Sequence, residues 1–239
     1  MSEVRSRRYL AVKGRVDRTR FYPLDEALSL MKELATASFD ESADAVFRLG
    51  VNPKRPEQRV RGTVILPHGV GKEVRVIAFA KGEKVREAEE AGAEVVGGEE
   101  LAKRIEGGWL QFDAAVATPD MMGIVGRLGR ILGPRGLMPS PKAGTVTPEI
   151  GQAIKELKQG RVEFRLDEYG NIHSTFGRCS FPEEHLRENF LALAQAIFEE
   201  KPAEVRGRYL RAAVISSTMG PGIKLDPDEI SALVSEQML

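Results

Sequence analysis

The sequence predicts an α/β protein of two domains, an α+β domain with an antiparallel sheet interrupted by an inserted, Rossmann-like parallel α/β domain. Three observations carry this. Segments of strict apolar–polar alternation lie on both sides of the chain's middle; the middle holds short, nearly continuous apolar runs separated by helical segments; and glycine-bearing breakers stand at both junctions. Alternation marks strands with one wet face, whereas continuous apolar runs mark strands covered on both faces.

The elements follow in order. From Tyr22, "YPLDEALSLMKELA" places Leu24, Leu28, Met31 and Leu34 at helical spacing. "AVFRLGV" then alternates, with Ala45, Phe47, Leu49 and Val51 on one face and Arg48 on the other, and "VRGTVIL" (60–66) alternates too. The middle reads differently: "EVRVIAFA" (73–80), "AEVVG" (93–97) and "FDAAVA" (112–117) are apolar runs, with "GEKVREAEEAG" and "GEELAKRIEGG" as the helices between them. That βαβαβ rhythm is the pattern of a small parallel sheet. Alternation returns in "RVEFRLD" (161–167), where Val162, Phe164 and Leu166 share a face. A helix over 183–199 carries Leu186, Phe190, Leu193 and Ile197, and the strand "YLRAAVISS" (209–217) follows.

The breakers "PHGVGK" (67–72) and "KQG" (158–160) set the expected boundaries: residues 1–69 with 159–239 as one domain, 70–158 as the other. Two adjacent chain crossings allow hinge motion, with Gly69, Gly71 and Gly160 as the hinge positions.

At 239 residues, with 42% apolar and 29% charged residues, the chain has an ordinary globular composition and enough length for two domains. No run approaches the roughly 18 apolar residues of a membrane span, and no membrane partner is expected. The basic N-terminus lacks the apolar core of a secretory signal. Cys179 is the one cysteine, which excludes an internal disulfide and suits a reducing cytosol.

Net charge is zero, with 35 basic and 35 acidic residues, so a protein that coats nucleic acid through a uniform positive field is excluded. The positive charge is local. Residues 1–20 hold Arg5, Arg7, Arg8, Lys13, Arg15, Arg18 and Arg20 against Glu3 and Asp17, and the tail from Asp226 onward is purely acidic. The stretch 121–148 carries Arg127, Arg130, Arg135 and Lys142 with no acid.

Nucleotide chemistry does not fit. "GVGKEVRV" (69–76) has the Gly-Lys pair of a phosphate-binding loop, but Glu73 stands where a magnesium-binding hydroxyl is required and a strand follows instead of a helix. "FAKGEKVREAEEAG" has one glycine at its turn, not the three of a dinucleotide fingerprint. His68, His173 and His185 have no metal-ligand spacing with each other or with Cys179. The acids of "DEALS" and "PDEIS" open helices, where they favour the dipole. No enzyme, cofactor or metal is expected.

Nucleic acid fits better. In "GRLGRILGPRGLMPSPKAGT" (126–145), Gly126, Gly129, Gly133 and Gly136 leave backbone open to an approaching chain. Arg127, Arg130 and Arg135 offer forks for phosphate, and Pro134, Pro139 and Pro141 stiffen the stretch. A structural loop with solvated arginines accounts for the same pattern. In "SSTMGPGIK" (216–224), Thr218 can bond a ribose 2′-OH, Met219 can pack on a sugar or base, and Gly220 admits close approach; an ordinary strand exit is the alternative. Phe39, in "TASFDES" (36–42), reads either as core or as an RNA-facing aromatic.

Taken together, "MGIVGRLGRILGPRGLMPSPKAGTV", "STMGP", "VRGTVILPHGVGK", "AEEAGAEVVGGEEL" (88–101) and "FDAAVATPDMMG" resemble the bacterial large-subunit ribosomal protein family of the mobile side stalk, the L-one family, over about residues 7–225. The resemblance implies two α/β domains, the second inserted into the first, and no enzymatic activity. It implies that the first domain binds the stalk of large-subunit rRNA beside the tRNA exit site, in the cytoplasm on the ribosome. Stalk movement would accompany release of deacylated exit-site tRNA, and the protein would repress translation by binding a stalk-like structure in its own operon's mRNA.

Carried over by position, the RNA contacts fall on Phe39, Ser42, Asp167, His173, Thr218, Met219 and Gly220, while Arg127, Arg130, Arg135 and Lys142 become secondary RNA or tRNA contacts. The sequence departs from the family at Ser38, where a basic residue often precedes the phenylalanine, and at Ser42, where threonine is common. Glu168 and Tyr169 stand where Lys-Thr is usual. Lost positive charge at 38 and 168 lowers the phosphate contribution to binding.

Overall fold

The computed structural model describes residues 6–237, so Arg5 of the basic N-terminal run lies outside the described residues. In chain order the elements are α1 (Arg7–Lys13), α2 (Leu24–Leu34), β1 (Ser42–Leu49) and β2 (Arg61–Ile65). Next come β3 (Val76–Phe79), α3 (Glu83–Glu90), β4 (Val95–Gly97), α4 (Glu99–Glu106), β5 (Ala114–Ala117), the short helices α5 (Met122–Val125) and α6 (Gly129–Leu132), and α7 (Ile150–Lys158). The last third holds β6 (Arg161–Arg165), β7 (Asn171–Arg178), α8 (Glu183–Glu199), β8 (Leu210–Ser217), β9 (Ile223–Leu225) and α9 (Pro227–Gln237). The chain divides into two compact units, Met1–Gly71 with Val162–Leu239, and Lys72–Arg161.

In the first unit, β1 sits inside a four-stranded sheet of order β7-β1-β8-β9 whose neighbours are all antiparallel. Alternation decides which face is buried. Ala43, Ala45, Phe47 and Leu49 of β1 join Ile172 and Phe176 of β7 and Ala213 and Ile215 of β8 in one core, which α2 and α8 close with Leu28, Met31, Phe190, Leu193 and Ile197. Phe190 is central: its ring stacks on Phe47 at 5.3 Å and meets Phe176 edge-on at 5.6 Å. Acids in the first turns of α2 (Asp25, Glu26) and α9 (Asp228, Glu229) complement the helix dipoles, and Asp226 caps α9 by accepting from the Asp228 N–H.

The second unit carries a parallel sheet of order β4-β3-β5. Ile77 and Phe79 of β3 face a cluster with Leu101, Ile105 and Leu128, while Val76 and Ala78 face another with Ala88, Ile150 and Ile154. Both faces are covered, which is why β3 is apolar at every position.

The glycine-rich stretch differs from its sequence reading as a loop. Residues 122–132 wind through helical turns, with Gly126 at φ −57° and Gly129 at φ −55°. Val125, Leu128 and Leu132, at three- and four-residue spacing, are fully buried there. Their burial outweighs the roughly 1 kcal/mol that each helical glycine costs.

All three glycines expected at the junctions adopt left-handed backbone: Gly69 (φ 64°), Gly71 (φ 72°) and Gly160 (φ 103°). At Gly71 a side chain is excluded twice over, since a Cβ would also lie 2.8 Å from Arg178 Cγ and from the Phe181 ring. The preceding residues are anchored by Asn189, which is fully buried in α8. Its side-chain oxygen accepts from the His68 N–H (3.0 Å), and its amide donates to the carbonyls of Gly69 and Phe176 (both 2.9 Å). His68 and His185, far apart in sequence, stack face to face at 3.7 Å, and His68 Nε2 lies 2.6 Å from Glu188.

Candidate nucleic-acid interface

At one end of β1 the structure joins two segments that lie far apart in the chain. Ser42 and Thr218 exchange bonds: the Thr218 N–H donates to the Ser42 carbonyl (3.1 Å), and the Ser42 N–H donates to Thr218 Oγ1 (2.9 Å). With that oxygen accepting, the Thr218 hydroxyl keeps its own proton to donate. The turn is tight: the Gly220 N–H returns to the Ser217 carbonyl, and a Cβ on Gly220 would fall 2.5 Å from Ser217 Oγ. Two large apolar side chains are left in water here, Phe39 at 53% and Met219 at 46% exposed. Phe39 is therefore not a core residue. Arg178 Nη1 donates to the Asp40 carbonyl and to Ser42 Oγ, placing a guanidinium at the same edge.

Sheet alternation turns a row of further side chains away from the core, and apart from His173 the sequence analysis singles out none of them. Asp44 lies opposite Thr175 on one side and Ser216 on the other, and the Thr175 hydroxyl donates to Asp44 Oδ1 at 2.6 Å. His173, Val46, Val214 and Lys224 form the next rank across the four strands. The signal was available, since every one of these positions alternates with a buried neighbour along its strand.

The expected contacts do not all meet at one point. Phe39, Ser42, Thr218, Met219 and Gly220 share one end of β1. His173, opposite Val46, stands about 13 Å further along, and Asp167 lies beyond the opposite end. Asp167 spends its carboxylate within its own hairpin: it accepts from the Tyr169 N–H (2.8 Å), the Asn171 N–H (2.7 Å) and the Asn171 side-chain amide (3.0 Å), with His173 Nε2 at 3.4 Å. Burial alone would raise its pKa, but these donors, Asn171 foremost, outweigh it and pull the group down to about 2. A depressed carboxylate stabilises the fold above its ordinary value of 3.8 and loses that contribution as pH falls toward 2, so the hairpin stays fixed at neutral pH. Tyr169, at its tip, is 83% exposed.

Cys179, beside this edge, is a poor nucleophile: burial first, then the charges of Glu41 and Asp40, push its thiol up to about 11. In the second unit, Arg127, Arg130, Arg135 and Lys142 are all exposed and form no ion pair among the described residues. Gly123, Gly126 and Gly129 beside them have open space where a side chain would stand.

Together these features suit contact with nucleic acid in two α/β units: a polar, partly aromatic surface at the end of β1 in one, exposed arginines beside open backbone in the other. The family description "Ribosomal protein L1p/L10e family" matches residues 31–221, and the chain belongs to that family. It is a large-subunit ribosomal protein that binds rRNA, of a structural and not an enzymatic family. Among the described residues, no helix is long and apolar enough to cross a membrane.

Proposed function

We propose that the first unit binds the mobile side stalk of large-subunit rRNA through the β1–β8 edge, with Phe39, Ser42, Thr218, Met219 and Gly220 as contacts. His173 extends the surface along the sheet, and Asp167 acts through it by holding the hairpin. The observation that carries this reading is the exposure of Phe39 and Met219 on either side of the Ser42–Thr218 exchange, at a place where the fold gains nothing from leaving them wet. A stacking aromatic, a methionine and hydroxyls suit a folded RNA with accessible bases and 2′-OH groups.

The test is binding to an isolated stalk rRNA fragment, titrated against salt, for the wild type and for Thr218→Val combined with Met219→Ala. The double variant should keep its circular dichroism spectrum and lose affinity by about 2–4 kcal/mol. The wild-type salt slope should be shallow, since few phosphates are neutralised by a chain of zero net charge. A slope of about −6 or steeper, or equal affinity for the two proteins, would move recognition elsewhere.

The finer roles follow from the same reading. The two units act as domains that swing about Gly69, Gly71 and Gly160, so that stalk movement accompanies release of deacylated tRNA from the exit site. A stalk-like structure in the operon's own mRNA competes for the same edge and represses translation. Arg127, Arg130, Arg135 and Lys142 contact tRNA or a second RNA segment. Changing the three arginines together to Ala should slow exit-site tRNA release in a reconstituted translation assay while leaving stalk binding intact; unchanged release would assign them to solvent alone.

A further inference from the structure

We infer that Glu41 is the positioning residue of the RNA-binding edge: a buried carboxylate that holds the Phe39 segment and the Met219 turn in register. This rests on the stalk-binding reading above. Glu41 is only 2% exposed. One of its oxygens accepts the Ala37 N–H at 2.9 Å, and the other accepts the Met219 N–H at 2.8 Å. Its own carbonyl accepts the Cys179 N–H at 2.8 Å, so both main chain and side chain tie the segment to the sheet. The buried Ser217 hydroxyl lies next to the carboxylate without reaching hydrogen-bond geometry, and Arg8 of α1 is close enough to act on it electrostatically.

The charge state agrees with this geometry. Burial alone would raise the pKa, but the Met219 and Ala37 donors outweigh it, and Glu41 is held below the ordinary value of 4.5. The ionised form is thus the one that fits two N–H donors, one on each carboxylate oxygen. Ala37 and Met219 bracket the exposed contacts, with Phe39 between Ala37 and Glu41 and Thr218 adjacent to Met219. Without the carboxylate, two partly buried N–H groups lose their acceptor, and only the Ser42–Thr218 exchange is left to join the two segments here.

The expected sign is what makes the idea testable. Removing a negative charge from an RNA-binding protein ordinarily strengthens binding, because phosphate repulsion falls. A positioning role requires the opposite. Glu41→Gln keeps the shape but presents an amide NH₂ to one of the two N–H donors, and it should weaken binding to the stalk rRNA fragment by about tenfold or more. The salt slope should not change, because Glu41 neutralises no phosphate. In the free protein, the Ala37 and Met219 amides should lose hydrogen-exchange protection while amides of the α8 core keep theirs. Glu41→Asp, which keeps the charge on a shorter reach, should recover part of the affinity.

Tighter or unchanged binding by Glu41→Gln would overturn the inference, as would loss of protection spread evenly over the unit, which would mark a general stability effect. Failure of the wild type itself to bind the fragment would overturn the stalk reading instead; the exchange measurement on free protein would still decide whether Glu41 orders the two segments.

Discussion

Replacing Asn189 with Leu should destabilise the first unit by roughly 3–6 kcal/mol, although it puts a more apolar side chain of similar size into a fully buried position. Counting hydrophobicity alone predicts a gain. Hydrogen-bond accounting predicts a loss, because the His68 N–H and the carbonyls of Gly69 and Phe176 all satisfy themselves on this one amide. The buried Phe176 carbonyl left unpaired costs about 1–3 kcal/mol, and the partly buried His68 N–H and Gly69 carbonyl about 1–1.5 kcal/mol each. Urea denaturation followed through the first unit reads the difference directly. A variant as stable as the wild type would mean that water or a shifted backbone replaces the amide.

Phe190→Ala should cost about 3–5 kcal/mol, the usual range for emptying a large aromatic site in a closed core. Phe190 is in ring contact with Phe47 of β1 and Phe176 of β7, so its loss opens a void between the helix layer and the two strands that carry Asp44, Val46, His173 and Thr175 on their outer face. The denaturation midpoint should fall with little change in the slope against urea. A loss under about 1 kcal/mol would show that α8 settles onto the sheet and fills the space. At temperatures where the variant remains folded, RNA affinity should change far less than stability, because no contact residue has been touched.

How much could be read beforehand depends on what each residue says locally. Ala45, Phe47 and Leu49, and then Val162 and Phe164, declare their strands by alternation, and the buried face is the one their apolar side chains mark. The apolar runs of β3 and β5 declare a sheet covered on both sides for the same reason. The stretch 122–132 hides its helical turns. Its glycines and arginines suggest an open loop, while the spacing of Val125, Leu128 and Leu132 is diluted by residues of poor helix propensity.

The site divides along the same line. The proposed contacts Thr218, Met219 and Gly220 stand in an intact motif and Phe39 in a recognisable setting, so the sequence alone is enough to propose them. For Glu41 it is not. In "SFDES" a glutamate reads as one more solvated acid, and its burial depends on a turn 178 residues further along the chain. Asp167 is a contact by the resemblance, yet its carboxylate is satisfied within its own hairpin, a fact that the turn pattern "DEYGNIH" partly contains.

The position of β1 has a consequence for how this chain comes to exist. Both strands that flank β1 in the sheet are encoded after the whole of Lys72–Arg161. During synthesis β1 therefore leaves the ribosome with both of its hydrogen-bonding edges bare. At about 5–20 residues per second it waits on the order of 6–25 s for β7, and longer for β8. The parallel-sheet unit needs no such wait, since it is contiguous. A nascent chain thus shields the later unit first and keeps an unpaired, aggregation-prone strand in reserve. The proposed stalk-binding surface, which joins Ser42 and Glu41 to Thr218 and Met219, cannot form until translation is nearly finished, so under that reading incomplete copies present no half-made binding surface to the RNA around them.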